Sequence, residues 1–393
     1  MAKIVVGKDG KLSIPDEYVA KYGVKDGAEV HIWPSEDGLV IQYPRADVRR
    51  VYIEVTSLCN LNCITCVRNV WSDEMGHMDM ETFHAIVRQL EDFPDVQSVT
   101  LAGFGEPLYH PEILNMARAI KDLGLELNIS TNGTLLDADV AEELVDIGLD
   151  KIVVSLDSGH PQLFEDIRIG ADLDIVLSNL RTLNEIKQRR SSKLPTIGIE
   201  FVAMRRNVHE IGDLPRLASL LGAVSIIVTN LLPHTEEMKE EVLYNDSVEL
   251  PGCGGWPVRA GNSWVQWGTM SYPRMHWGSD SHCRFIGDRS LVIGWDGGIS
   301  PCYALLHSYQ CYIFDKLKHV SKYSIGNVCD RKLLELWTSE EYVRFRHKVR
   351  AFEFPSCMDC GMGCGYTDVN QDCWGADPSC ADCLYARDIV RCP

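Results

Sequence analysis

Cys59-Asn60-Leu61-Asn62-Cys63-Ile64-Thr65-Cys66 follows directly on the apolar run at residues 51–55. A strand followed by C-x-x-x-C-x-x-C decides how the rest of the chain is read. Three thiolates at this spacing can hold three corners of a four-iron cluster and leave the fourth iron open to a ligand. With 15 Cys in 393 residues, such a triple is expected by chance roughly 0.02 times per chain. Structural zinc is the competitor, but it favours paired C-x-x-C knuckles or a Cys/His set. The one further Cys or His near this loop is His77.

Composition sets the frame. Hydrophobic residues make up 45% and charged residues 24%, enough for two or three globular domains with a large core. The formal charge of -18 argues against nucleic acid or an anionic membrane surface as a general partner. No apolar run is long enough to cross a bilayer, and residues 1–10 lack the apolar stretch of a signal peptide. A cytoplasmic protein is expected, with cysteines used for metal ligation in preference to disulfides.

From residue 51 to about 230, strand-like and helix-like stretches alternate. Strands are expected near 52–55, 98–101, 126–130, 151–155, 196–202 and 225–229. Helices are expected at 80–92, 111–123, 137–147, 173–190 and 209–221. Alternation of this kind specifies an α/β fold with a parallel sheet wrapped by helices. Its reactive end is the C-terminal edge of the strands, where the cysteine loop falls. The other strand ends are polar too: Gly103-Phe104-Gly105-Glu106-Pro107 after the second, Ser130-Thr131-Asn132-Gly133 after the third, and Ser155-Leu156-Asp157-Ser158 after the fourth. Gly198, Ile199 and Glu200 lie on the fifth, with Arg205 and Asn207 beyond it. Each segment alone is weak, since Asn-Gly is usually a turn and a strand-end Ser often a helix cap. Their order is what carries weight.

The cysteine motif followed by these segments resembles the radical S-adenosylmethionine (SAM) enzymes, whose partial (β/α)6 barrel matches six β/α units. The resemblance implies a [4Fe-4S] cluster on Cys59, Cys63 and Cys66, with SAM chelated at the open iron. One electron then breaks SAM to a 5′-deoxyadenosyl radical that removes a hydrogen atom from the substrate. By the same resemblance Gly103, Gly105 and Glu106 approach the SAM ammonium. Ser130, Asn132, Ser155 and Asp157 serve its ribose and carboxylate, and Glu200 and Arg205 complete the cofactor-binding set. Thr65 departs from the aromatic residue usual before the third cysteine. No catalytic acid or base is identified; His234, just past the sixth strand, is a candidate by position, though a lone His is more often structural.

A second cysteine set runs Cys283, Gly297, Cys302, Gly326-Asn327, Trp337, Cys357, Cys360, Cys364, Cys373, Cys380, Cys383 and Cys392. It resembles the SPASM extension of radical SAM enzymes that modify peptides and proteins, which implies two auxiliary four-iron clusters. The second half departs from that pattern in its gaps. Nine cysteines stand where two fully ligated clusters need eight, so the pairing stays open. A zinc ribbon from Cys357/Cys360 with Cys380/Cys383 is the alternative. Cys253, Cys311 and Cys329 fall outside every pattern and are expected to be packed or incidental thiols.

Four domains are expected: a head at 1–46, the barrel at 47–240, a bridge at 241–280 and the cysteine-rich, iron-sulfur domain at 281–393. The head, with Lys11-Leu12-Ser13-Ile14-Pro15, a helix at 16–22 and a last strand at 38–41, resembles AbrB-like swapped-hairpin domains. Its balanced charges offer no basic stripe for DNA, so dimerisation or docking of a protein is expected. The bridge gathers Trp256, Trp264, Trp267 and Trp277 with Arg259, Arg274 and His276, and is expected either to cover the barrel mouth or to form a satellite core.

A narrower resemblance joins CNLNCITCVRNVW (residues 59–71) and DCWGADPSCADCLYARDIVRCP (residues 372–393). Both look like the radical SAM maturases that accompany tungsten-dependent aldehyde:ferredoxin oxidoreductases. This implies modification of that oxidoreductase or its tungsten cofactor; separately, a ferredoxin-like protein is expected as reductant. The alternatives are a maturase of ribosomal peptides and, from another class, a cluster-bearing DNA-binding regulator.

Overall fold

The computed structural model describes residues 6–35, 38–244, 264–265, 268–276, 281–357, 360 and 368–391. Its centre is a sheet of parallel strands: β1 (Arg50–Ile53), β2 (Ser98–Leu101), β3 (Glu126–Thr131), β4 (Lys151–Ser155), β5 (Thr196–Ala203), β6 (Ala223–Asn230), β7 (Gly268–Ser271) and β8 (Ser290–Ile293). In space the order is β8-β1-β2-β3-β4-β5-β6-β7, every neighbouring pair parallel. Antiparallel β9 (Gly298–Ser300) extends the β8 edge. The six strands read from the alternation are all present. β7 and β8 were not expected, because they come from segments beyond it, and Gly-Thr-Met-Ser of β7 has no apolar period to read.

Helices cover one face: α1 (Met80–Leu90), α2 (Ile113–Asp122), α3 (Ala138–Ile147), α4 (Pro161–Ile167), α5 (Leu173–Arg189) and α6 (Leu214–Leu220). In α1 the buried Phe83, Ile86 and Leu90 recur at helical spacing, and Asp79 starts the helix by accepting a hydrogen bond from the Thr82 amide at 2.7 Å. Each such buried side chain contributes about 1.5–3 kcal/mol. Val51 and Ile53 of β1 join this core, while Tyr52 faces the other side of the sheet. Helix α4, absent from the sequence reading, begins with Pro161 at its first turn.

The sheet curls. One cavity of about 190 Å³ is lined by Arg50, Tyr52 and Ser290 from β1 and β8 and by Ile227 and Ser271 from β6 and β7. Strands near the two ends of the order could not share a cavity in a flat sheet. The same cavity is lined by Tyr385, Asp388, Val390 and Arg391, which lie far downstream in the chain. That segment is tied to the β6 end: Asn230 Nδ2 donates to the Ile389 carbonyl at 2.9 Å, and the Arg391 amide donates to Thr229 Oγ1 at 2.7 Å.

In the cysteine-rich part, helices α7 (Leu333–Thr338) and α8 (Glu340–Ala351) follow a hairpin of β10 (Tyr309–Ile313) and β11 (Lys316–Val320). Trp337 of α7 is fully buried, donates to the Arg45 carbonyl at 2.8 Å and stacks against the Arg346 guanidinium. The head consists of a helix at Asp16–Tyr22 and a hairpin of His31–Ser35 with Gly38–Gln42. It touches the rest through Trp33 against His347 and through His31 Nε2 to the Thr338 carbonyl at 2.8 Å. Its helix buries no residue, and Val6, Leu12, Ile14, Ile32, Leu39 and Ile41 are exposed.

Candidate active site

At the C-terminal ends of the strands a cavity of about 260 Å³ is lined by Cys59, Cys63 and Cys66 together with Gly103, Gly105, Glu106, Ser130, Asn132, Ser155 and Glu200. Ten of the sequence-predicted residues therefore share one wall system. Two did not arrive there. Asp157 is fully buried behind the cavity, accepting from the Val202 amide at 2.8 Å and pairing with Arg168 at 2.8 Å. Arg205 is exposed on the surface, its amide bonded to the Glu241 carbonyl. Both follow strands in sequence, but side chains alternate faces past a strand end, so position in the chain does not fix direction.

The cysteine loop is shaped by its own backbone and by Arg68. The Leu61 amide donates to Cys59 Sγ at 3.3 Å, and Arg68 Nε donates to Cys66 Sγ at 3.1 Å while its other nitrogens bond the Ser57 and Leu61 carbonyls. Burial pushes the Cys63 thiol up to about 11, with nearby Arg168 partly offsetting it. An iron cluster bound here would have to displace that proton, as a metal does from a coordinating thiol. Three thiols on one open cavity wall, with N–H donors to their sulfurs and a guanidinium beside them, fit a cluster that leaves one side free. Among the described residues no three His, Cys, Asp or Glu side chains are drawn together tightly enough to grip a single metal ion. His77 lies apart from this cavity, in a bridge to Thr56 with its ring against His110.

The second loop must come very close to the first. A Cβ on Gly105 would stand 2.1 Å from the Thr56 carbonyl oxygen, so only glycine fits. Glu106 is buried; it accepts from Thr131 Oγ1 at 2.7 Å, the Asn132 amide at 2.7 Å and the Leu108 amide at 3.0 Å. A carboxylate has about four lone-pair sites, so one direction remains toward the cavity. Burial raises its pKa, and these hydrogen bonds work against the rise. Asn132 donates to Asn60 Oδ1 at 2.9 Å, tying the third strand end to the cysteine loop. Burial raises Glu200 to about 7, again with Arg168 opposing. His234 is buried, with its pKa lowered by burial, and is not part of the cavity wall.

Several cavity residues had no sequence signal. Arg168 caps α4 and presents its guanidinium from behind Cys63. Tyr303, Tyr385, Val390 and Arg391 come from the cysteine-rich part, and Arg391 is held by Asp388 through two bonds of 2.7 Å. A cluster of turn residues and cysteines gave no hint that this segment returns to the sheet.

The downstream cysteines divide. Burial raises the thiols of Cys283, Cys302 and Cys380, and these with Cys383 lie within electrostatic reach of one another. Cys357 has Asp382 and Cys373 as neighbours, burial raising it to about 11. Cys360 and Cys373 are exposed. Cys357 of one C-x-x-C knuckle also packs against the apolar cluster that contains Cys380 and takes in Cys283 and Cys383, so the two knuckles share a neighbourhood. Cys311, expected to be a packed or incidental thiol, is packed: it is buried beside the first group and shares an apolar cavity with Cys302, Cys380 and Cys383. Cys253, Cys364 and Cys392 lie outside the described residues, as do Trp256, Arg259, Trp267 and Trp277; of Trp264 only the backbone strand is described.

Residues 53–209 match the radical SAM superfamily model, and residues 283–361 match the SPASM iron-sulfur cluster-binding domain. The chain is 35% identical over 352 residues to the tungsten-containing aldehyde ferredoxin oxidoreductase cofactor-modifying protein of Pyrococcus furiosus, covering 88% of this chain and 97% of that protein. It is 30% identical over 195 residues to a probable GTP 3′,8-cyclase of Methanocaldococcus jannaschii, 49% of this chain and 62% of that one. Among solved structures, Streptococcus suis SuiB bound to SAM superposes with a TM-score of 0.56 at 18% identity, covering 88% of this chain and 73% of SuiB.

Proposed function

Since the chain belongs to the radical SAM superfamily, with the SPASM iron-sulfur extension, we propose that it matures a tungsten-dependent aldehyde oxidoreductase by modifying that enzyme's cofactor. It is a SAM-dependent radical enzyme; its cluster, when bound, supplies the electron that cleaves SAM to the radical that abstracts hydrogen. The remaining work belongs to the protein. Cys59, Cys63 and Cys66 hold the cluster. Gly103, Gly105 and the free direction of Glu106 receive SAM's ammonium, and Ser130, Asn132 and Ser155 orient its ribose and carboxylate. Arg168, fixed by Asp157, keeps a positive charge behind Cys63 and beside Glu200. Tyr385, Val390 and Arg391 close the substrate side and exclude water.

In the auxiliary domain, Cys283, Cys302, Cys380 and Cys383 are the ligands of one cluster, and Cys357, Cys360, Cys364 and Cys373 of the other, which leaves Cys392 outside both sets. Four protein thiolates per cluster leave no iron open, so the auxiliary centres carry electrons and do not bind substrate. The head is a dimerisation element, its exposed apolar strands facing a second copy.

The observation that carries this reading is the match to the Pyrococcus protein along nearly the whole of both chains. The test is anaerobic reconstitution with SAM, a reductant and the partner oxidoreductase, following 5′-deoxyadenosine and the mass of the tungsten cofactor. Nucleoside release together with a changed cofactor supports the proposal. Release with an unchanged cofactor and a modified peptide refutes the substrate while keeping the radical enzyme.

A further inference from the structure

We propose that His307 is a positioning residue that braces the SAM-binding loops from the auxiliary domain, so that loading of the auxiliary cluster at Cys302 and affinity for SAM are coupled. His307 is 2% exposed, and its Nε2 lies 2.7 Å from Oε2 of the fully buried Glu54. A carboxylate only accepts, so Nε2 carries the proton. The other oxygen of Glu54 accepts from the Phe104 amide at 3.0 Å, inside the Gly103-to-Pro107 loop that walls the SAM cavity. The fit there is close: a Cβ on Gly103 would stand 2.5 Å from Glu54 Cγ, and Gly103 holds a φ of +155° that favours glycine.

The same imidazole also holds the exit of the cysteine loop. Trp71 stacks on it at 3.9 Å between centroids, and Asp73 Oδ2 faces Nδ1 at 3.4 Å while accepting from the Ser308 amide at 2.9 Å. Phe104 meets Trp71, His307 and Tyr303 edge to face. Upstream, a single turn at Tyr303–Leu305 joins His307 to Cys302, and the Leu305 amide is bonded to the Cys302 carbonyl. One short segment therefore contains an auxiliary cluster ligand, a cavity wall residue in Tyr303, and the group that pins Glu54 and Trp71. A segment with so few internal degrees of freedom transmits displacement of Cys302 to both loops.

The inference rests on the cavity binding SAM, which the wild-type protein's own affinity tests separately. The experiment uses the reconstituted full chain. SAM affinity is read by equilibrium dialysis and by the change SAM makes in the EPR spectrum of the reduced three-cysteine cluster. His307→Leu is expected to weaken SAM about tenfold or more at unchanged iron content, while His307→Gln, which keeps an N–H toward Glu54, stays within about threefold. Cys302→Ala is expected to weaken SAM as well, and the double variant to fall short of the product of the two effects. Unchanged SAM affinity in His307→Leu, or fully multiplicative losses in the double variant, overturns the proposal. Should His307→Leu fail to load iron, Glu54→Gln read in the same way decides: weakened affinity supports the brace, and wild-type affinity overturns it.

Discussion

Two of the thiol groups of this chain are built in opposite ways. Cys59, Cys63 and Cys66 sit on one loop within eight residues and face a cavity shared with five strand ends. Cys283, Cys302, Cys380 and Cys383 are collected from segments about a hundred residues apart and are packed among apolar side chains. A local centre can leave one side open because the loop alone defines its geometry. A centre gathered from distant segments is enclosed by the folding that gathers it. Openness suits binding and cleavage of SAM, and enclosure suits passage of electrons.

The sharpest way to break this comparison is to remove one thiol from each centre. Cys63→Ala should lower 5′-deoxyadenosine formation to background while the auxiliary irons, about eight per chain, remain. Cys380→Ala should lose about four irons yet still release nucleoside without completing substrate. If Cys380→Ala completed substrate at the wild-type rate, the enclosed centre would have no role in electron passage. Iron and sulfide counts beside nucleoside and product assays read both.

The next expectation concerns the charges behind the open centre. Arg168 and Asp157 form a buried pair at 2.8 Å, and removing one partner leaves the other charge uncompensated. Arg168→Met should destabilise the chain by about 3–5 kcal/mol, seen as a lower Tm under anaerobic conditions with matched iron content. An unchanged Tm would mean that solvent already reaches Asp157.

Glu200 gives a pH test of smaller size. Its folded pKa of about 7 lies above the usual value of 4.5, so the folded state binds the extra proton. The stability contributed is full below the unfolded pKa and is lost as pH rises through the folded one. The Tm of wild type relative to Glu200→Gln should therefore fall between about pH 5 and 8 in the absence of SAM. A flat difference would remove the desolvated carboxylate from the site. The smallest effect on chemistry belongs to the head: Ile41→Lys, on its exposed strand, should leave nucleoside release unchanged and lower the dimer fraction in sedimentation velocity.

Much of the open centre was legible before any coordinates. Its thiols are close in sequence, and strand alternation alone places polar loops at one end of the sheet. Asp157 and Arg205 were misplaced because the direction of a side chain beyond a strand end depends on packing, as Arg168 shows by drawing Asp157 inward. The enclosed centre showed its cysteines but not their pairing, since loop closures over such distances leave no periodic trace. For the same reason nothing announced that Tyr385, Val390 and Arg391 line the cavity of the cysteine loop, or that His307 reaches Glu54.

The return of residues 385–391 to the sheet has a consequence in time. Translation delivers the cysteine loop early and this segment hundreds of residues later. Until then the pocket lacks part of its wall, and a nascent chain that acquired iron would hold an unfinished chamber. The order of synthesis thus delays completion of the chamber until the cysteine-rich domain has been made.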